Sequence, residues 1–140
     1  MLIEVLVSIL IFSVAVIGLV GLQGNVIRAV RDSDYRAKAS FLADQIVSRM
    51  WLDRFNVPMY SLNANAAACA PGANASANPV VTTWIADLTD PVNPGSLPGA
   101  ANLQQQVIIG ANNAVTVVLC WQSPQDAAPH NFTLTTQIQG

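Results

Sequence analysis

The chain has 140 residues, of which 52% are apolar and only 10% charged. That is the length of one domain, with little charge for a soluble one. All six basic residues lie between Arg28 and Arg54, and from Phe55 onward the only charges are Asp87, Asp90 and Asp126. A weakly acidic, amide-rich surface of that kind offers nothing to phosphates, so nucleic-acid recognition through it is not expected.

Residues Val5 to Ile27 carry no charge. As a helix this stretch spans roughly 35 Å, enough to cross a ~30 Å hydrocarbon core. A cleavable secretory signal would open on Lys or Arg and end at a small-residue cleavage site. This segment opens on Glu4 instead, so a retained membrane helix is expected. A carboxylate at that depth costs several kcal/mol unless it is paired. Gly18, Gly21 and Gly24 recur every third residue, which lets a neighbouring helix approach closely or lets the helix unwind locally. Ser8 and Ser13 can bond back to carbonyls of their own helix. Taken from the chain as written, Arg28 and Arg31 would place the C-terminal part in the cytoplasm, and a basic leader ahead of Met1 would reverse that orientation.

The run MLIEVLVSILIFSVAVIGLVGLQ resembles the start of mature type IV pilins and pseudopilins. Leu2, Ile3, Glu4 and Val5 match their motif, with Met1 where threonine is usual. The resemblance implies that the chain begins one residue inside the usual mature end. It also implies that a leader cut by a prepilin peptidase belongs upstream.

From Arg28 to Arg54 the pattern becomes amphipathic. Tyr35, Ala39, Leu42, Ile46 and Met50 fall on one face of a 3.6-residue period, while Arg36, Lys38, Asp44, Ser48 and Arg49 fall opposite. The basic residues here alternate with Asp32, Asp34, Asp44 and Asp53, the pattern of a solvated helix face. Proline is absent before Pro58, and no glycine occurs between Gly24 and Gly72. A nearly continuous helix over about residues 2–54 is therefore expected. Ala43, Asp44, Ile46, Arg49 and Met50 are similar to an alanine-rich run of PilV-type minor pilins.

Residues 56–79, rich in Asn, Ala, Pro and Gly, read as a long surface loop. VVTTWI (Val80–Ile85), β-branched and aromatic, reads as a strand, and DPVNPGSLPG as a turn-rich break. Gln104–Ile109 alternates weakly, GANNA reads as a hairpin turn, Val115–Trp121 as a strong strand, and Phe132–Ile138 as a last strand. Three or four antiparallel strands laid against the amphipathic helix give an α+β fold. Val115, Val117, Leu119, Cys120, Trp121, Gln122, Pro124 and His130 are also similar to the PilV-type C-terminus. The organisation expected is a membrane and fibre-core segment at 1–27 and a periplasmic pilin domain at 28–140, with helix at 28–54, loop at 55–79 and strands at 80–140.

Cys69 and Cys120 are spaced wrongly for a zinc ribbon or a CxxC motif, and one His completes no metal ligand set. In a body outside the cytoplasm the two cysteines can form a disulfide; otherwise they are unpaired core residues. His130, between Pro129 and Asn131, reads as a loop residue. Asp87 and Asp90 lack a third ligand, and the triplets starting at Asn74 and Asn131 match the glycosylation pattern no more often than chance allows in an Asn-rich chain. No catalytic residue and no cofactor are expected.

The resemblance implies a type IV pilin-like subunit and not an enzyme. Its expected role is a minor pilin in pilus assembly, initiation or modification, anchored in the inner membrane and later carried on the cell-surface pilus. The implied partners are other pilins and minor pilins, through Glu4 and the glycine-bearing helix. The alternative is a minor pseudopilin of a type II secretion system. An ordinary single-pass envelope protein or enzyme accounts for neither Glu4 nor the helix running on into an amphipathic stripe.

Overall fold

The computed structural model describes residues 2–72 and 74–139. Met1, which the resemblance sets where threonine is usual, lies outside them. The chain divides into two units, Met1–Tyr35 and Arg36–Gly140.

Helix α1 runs from Leu2 to Leu52 without a break, as the absence of proline and of late glycines requires. In the first unit its side chains are almost all exposed, and none of its most apolar 18-residue window is buried. This helix is long and apolar enough to cross a membrane. Ser8 and Ser13 each donate their hydroxyl to the carbonyl four residues back, Glu4 and Ile9, at 2.7 Å. Neither hydroxyl is thereby left without a partner in an apolar setting.

In the second unit α1 buries Ala39, Leu42, Ala43, Ile46, Val47 and Met50, so the apolar stripe reads as expected except that Tyr35 is only half-buried. The helix ends at a turn in which Asp53 accepts from Asn56 Nδ2 at 2.7 Å. The described residues of 56–72 and 74–78 hold the 3-10 turn Val57–Tyr60 and an isolated bridge at Leu62, and are otherwise irregular.

Helix α2, Pro79–Thr89, corrects the strand expected at Val80–Ile85. Asn78 caps it, its Oδ1 accepting from Val80 N at 2.9 Å, and Pro79 occupies the first turn, where the missing N–H has no cost. Val81, Trp84 and Leu88 are buried, a spacing of three and four that belongs to a helix. The β-branched threonines are accommodated because their hydroxyls bond inward. Thr82 and Thr83 donate to Pro79 O, and Thr89 donates to Ile85 O. Trp84 Nε1 donates to the carbonyl of Leu42 at 3.0 Å, a buried bond that fastens α2 to α1.

The sheet has three strands: β1, Gln106–Ile109; β2, Ala114–Trp121; and β3, His130–Gln137. They form one antiparallel sheet in the order β1-β2-β3. The β1–β2 hairpin closes with Gly110 N on Ala114 O at 2.7 Å, and Asn112 and Asn113 take positive φ in the turn, a conformation asparagine tolerates. On one face Val107, Val115, Val117, Leu119 and Trp121 are fully buried. On the other, Val118 and Cys120 form a smaller cluster with Cys69 and Leu103. The whole is an α+β, pilin-like layout with a long N-terminal helix and a small antiparallel sheet.

Candidate functional site

Glu4 lies in the first turn of α1, and its side chain is exposed. Gly18, Gly21 and Gly24 lie on the same helix, beginning about 21 Å further along. A Cβ at any of the three would meet no other group within 4 Å. The helix runs through all three without interruption. The structure places acid and glycines on one apolar rod but does not bring them together.

The Cys69–Cys120 disulfide is formed, joining positions 51 apart in sequence with their Cα atoms 5.4 Å from one another. It belongs to a clamp that holds the long connection to the sheet. Leu62 pairs with Val107 in an isolated bridge, 2.9 Å in both directions. Gln104 N donates to Ala70 O at 2.8 Å. Asn74 Oδ1 accepts from Asn63 Nδ2 at 2.6 Å and from Gln105 N at 3.1 Å.

Gln105 is the centre of this clamp. It is fully buried, and its side chain stands in for a backbone partner of β2. Oε1 accepts from Cys120 N at 2.7 Å, while Nε2 donates to Cys120 O at 3.0 Å and to Ala100 O at 3.2 Å. The β1–β2 register would set Gln104 opposite Cys120, but Gln104 turns away to Ala70. The amide of Gln105 fills the vacated rung, so no buried backbone group of Cys120 is orphaned. Sequence reading missed Gln105 and Asn63 and met Asn74 only in a glycosylation-pattern triplet, since nothing local distinguishes these amides from others in an amide-rich chain.

The chain matches no protein-family model, no curated protein and no solved structure.

His130, expected in a loop, is the first residue of β3. Its ring stacks on Trp121 with centroids 5.9 Å apart. Its Nε2 lies 3.3 Å from Asp126 Oδ2, which also accepts from Ser123 N at 3.1 Å. Asp126 thus ties the β2–β3 connection together. Asp87 and Asp90 lie at the end of α2. Asp90 caps the end of α2 and accepts from Val92 N, and the Asp87 carbonyl accepts from Asn93 Nδ2. Among the described residues no three His, Cys, Asp or Glu side chains converge as metal ligands. An open groove of about 440 Å³ runs between Lys38, Phe41 and Gln45 on α1 and Asp87, Asn93 and Gly95 near α2.

Proposed function

We propose that this chain is a minor pilin of a type IV pilus, a structural subunit and not an enzyme. The observation that carries the reading is the single 51-residue helix, with Glu4 in its first turn, a wholly exposed apolar half and a second half that buries a stripe in an α+β body. The apolar half holds the subunit in the inner membrane with the body in the periplasm, after a prepilin peptidase has removed a leader. On assembly the helix exchanges lipid for neighbouring pilin helices. That transfer replaces one apolar surroundings with another, and close approach at Gly18, Gly21 and Gly24 favours it. The Glu4 carboxylate then pairs with the terminal amine of an adjacent subunit, so neither charge is left alone in an apolar core.

Fibres sheared from the native host and probed by immunoblot are expected to contain the protein, and Glu4→Ala is expected to lower its amount there while the body stays folded. Protein confined to the inner membrane, with piliation unaffected by its deletion, would point to a type II secretion pseudopilin. Equal amounts of Glu4→Ala and unaltered protein in fibres would remove Glu4 from its assigned role.

A further inference from the structure

The charges that follow the apolar span begin with two cations. After the uncharged stretch Val5–Ile27 come Arg28 and Arg31, ahead of any carboxylate. Both are exposed and lie three residues apart on α1, and Asn25 is exposed a further three back. Residues at that spacing are neighbours on a helix surface, with Cβ atoms about 5–6 Å apart. Asp32, Asp34, Arg36 and Lys38 are each engaged with other groups. Among the described residues neither Arg28 nor Arg31 has an ion-pair partner.

Depth in the membrane sorts these groups. With Glu4 at one edge of a ~30 Å hydrocarbon core, a helix along the membrane normal reaches the other edge after about 20 residues, near Gly24. The headgroup layer extends roughly 5–7 Å beyond that. Asn25 then lies at the inner margin of the layer, and Arg28 about 6 Å past Gly24, inside it. Arg31 is about 4.5 Å further out, but its long stem leans toward the helix N-terminus and so back into the layer. Asp32 and Asp34, about 12 and 15 Å past Gly24, have short side chains and stay in water. The order along the helix is apolar span, then cations among the headgroups, then acids outside.

We propose that Asn25, Arg28 and Arg31 form an interaction surface for an anionic phospholipid headgroup. A guanidinium is a planar fork of donors that matches two phosphate oxygens, and the Asn25 amide adds a donor beside it. A zwitterionic lipid offers the same phosphate, but its own ammonium sits next to it and offsets the attraction. Only an anionic lipid leaves a net negative charge for the two unpaired cations. Orientation gives the arginines no other role. With the body in the periplasm, as proposed above, they stand on the side of the membrane where Lys and Arg are disfavoured, so they do not serve to orient the chain. The contact sets the depth of the helix and must be given up when the helix leaves lipid. The inference rests on the membrane reading of α1 and requires no pilus.

The test reconstitutes the full chain in nanodiscs of equimolar phosphatidylglycerol and phosphatidylcholine and reads the retained lipid by native mass spectrometry. Each cation near an anionic surface contributes about fivefold, so retention is expected to favour phosphatidylglycerol roughly 25-fold. Arg28→Gln with Arg31→Gln keeps good helix formers at both positions and is expected to bring the two lipids close to equal retention. Arg28→Lys with Arg31→Lys, which keeps the charge but loses the fork, is expected to fall between. Arg49→Gln with Arg54→Gln removes the same charge from the body and is expected to leave the preference unchanged. Near-ultraviolet circular dichroism from the buried Trp84 and Trp121 checks the fold of each variant. Equal retention of both lipids by the unaltered chain, an unchanged preference without Arg28 and Arg31, or the same loss without Arg49 and Arg54 would each overturn the proposal. Failure of the unaltered chain to enter nanodiscs at all would overturn the membrane reading itself, and the inference with it.

Discussion

Reducing the disulfide isolates one contribution to the stability of the body. The bridge closes a loop between residues 51 apart, and the chain-entropy relation assigns such a loop about 4 kcal/mol, through restriction of the unfolded chain. For a unit of about 100 residues, roughly 4 °C of melting temperature corresponds to 1 kcal/mol, so reduction should lower the transition by about 15 °C. Trp84 and Trp121 are both fully buried, and their near-ultraviolet circular dichroism in detergent reports the body without interference from the exposed apolar helix. The urea dependence carries a second signature. An unfolded chain released from its cross-link exposes more surface, so the m-value should rise on reduction. A melting shift below about 4 °C, or roughly 1 kcal/mol, with an unchanged m-value would refute the reasoning. It would mean that the unfolded chain gains no freedom when the bridge opens.

Gln105→Leu keeps the volume but orphans the backbone N–H and C=O of Cys120. Denaturant unfolding should show a loss of about 3 kcal/mol, reflecting buried groups left without partners. The two buried tryptophans should respond differently to Phe. Trp84 Nε1 donates to Leu42 O, whereas Trp121 Nε1 is buried without a partner among the described residues. Trp84→Phe should therefore cost about 1 kcal/mol more than Trp121→Phe in the same melts. The Tyr60 hydroxyl donates to Asp53 Oδ2 at 3.3 Å. Burial first, and then the Asp53 charge and this hydrogen bond, raise its pKa above the ordinary 10.0. The native state thus holds that proton more tightly than the unfolded chain. Stability from this group is intact below pH 10 and falls as pH rises above it. Tyr60→Phe should flatten that part of the alkaline slope in urea midpoints measured from about pH 8 to 11.

What the residues disclose in advance depends on whether the deciding interactions are local. Helix α1 is legible because nothing interrupts it and its second half repeats apolar residues at helical spacing. β2 and β3 are legible from alternation, and GANNA from its asparagines. α2 reads as a strand because Val80, Val81, Thr82, Thr83 and Trp84 have strand-like composition. Its helical signals are the Asn78–Pro79 start and the apolar spacing of Val81, Trp84 and Leu88, with threonine hydroxyls satisfied inside the helix. The clamp is illegible for another reason. Gln105 finds Cys120 fifteen positions away, and Asn63 finds Asn74 across an irregular loop. No periodicity marks an amide that replaces a backbone rung. The disulfide is readable only as one of two alternatives, since its formation depends on where the cysteines come to lie.

Gly99 belongs with these non-local constraints. Its φ of 65° is left-handed, and a Cβ there would run into the carbonyl oxygen of Gln122. Only glycine lets the segment before β1 pass so close to the end of β2, where Gln122 N bonds Pro98 O at 2.9 Å.

The covalent bridge also has a mechanical meaning. Tension applied between α1 and the C-terminus reaches the body through Cys69 and then crosses directly to Cys120. The 51 positions between them represent about 170 Å of contour at full extension, and none of it can be drawn out while the bond holds. A pull strong enough to strip β3 from β2 would therefore lengthen the chain only by what lies outside the bridge. α2, β1 and most of β2 would be shielded from the load.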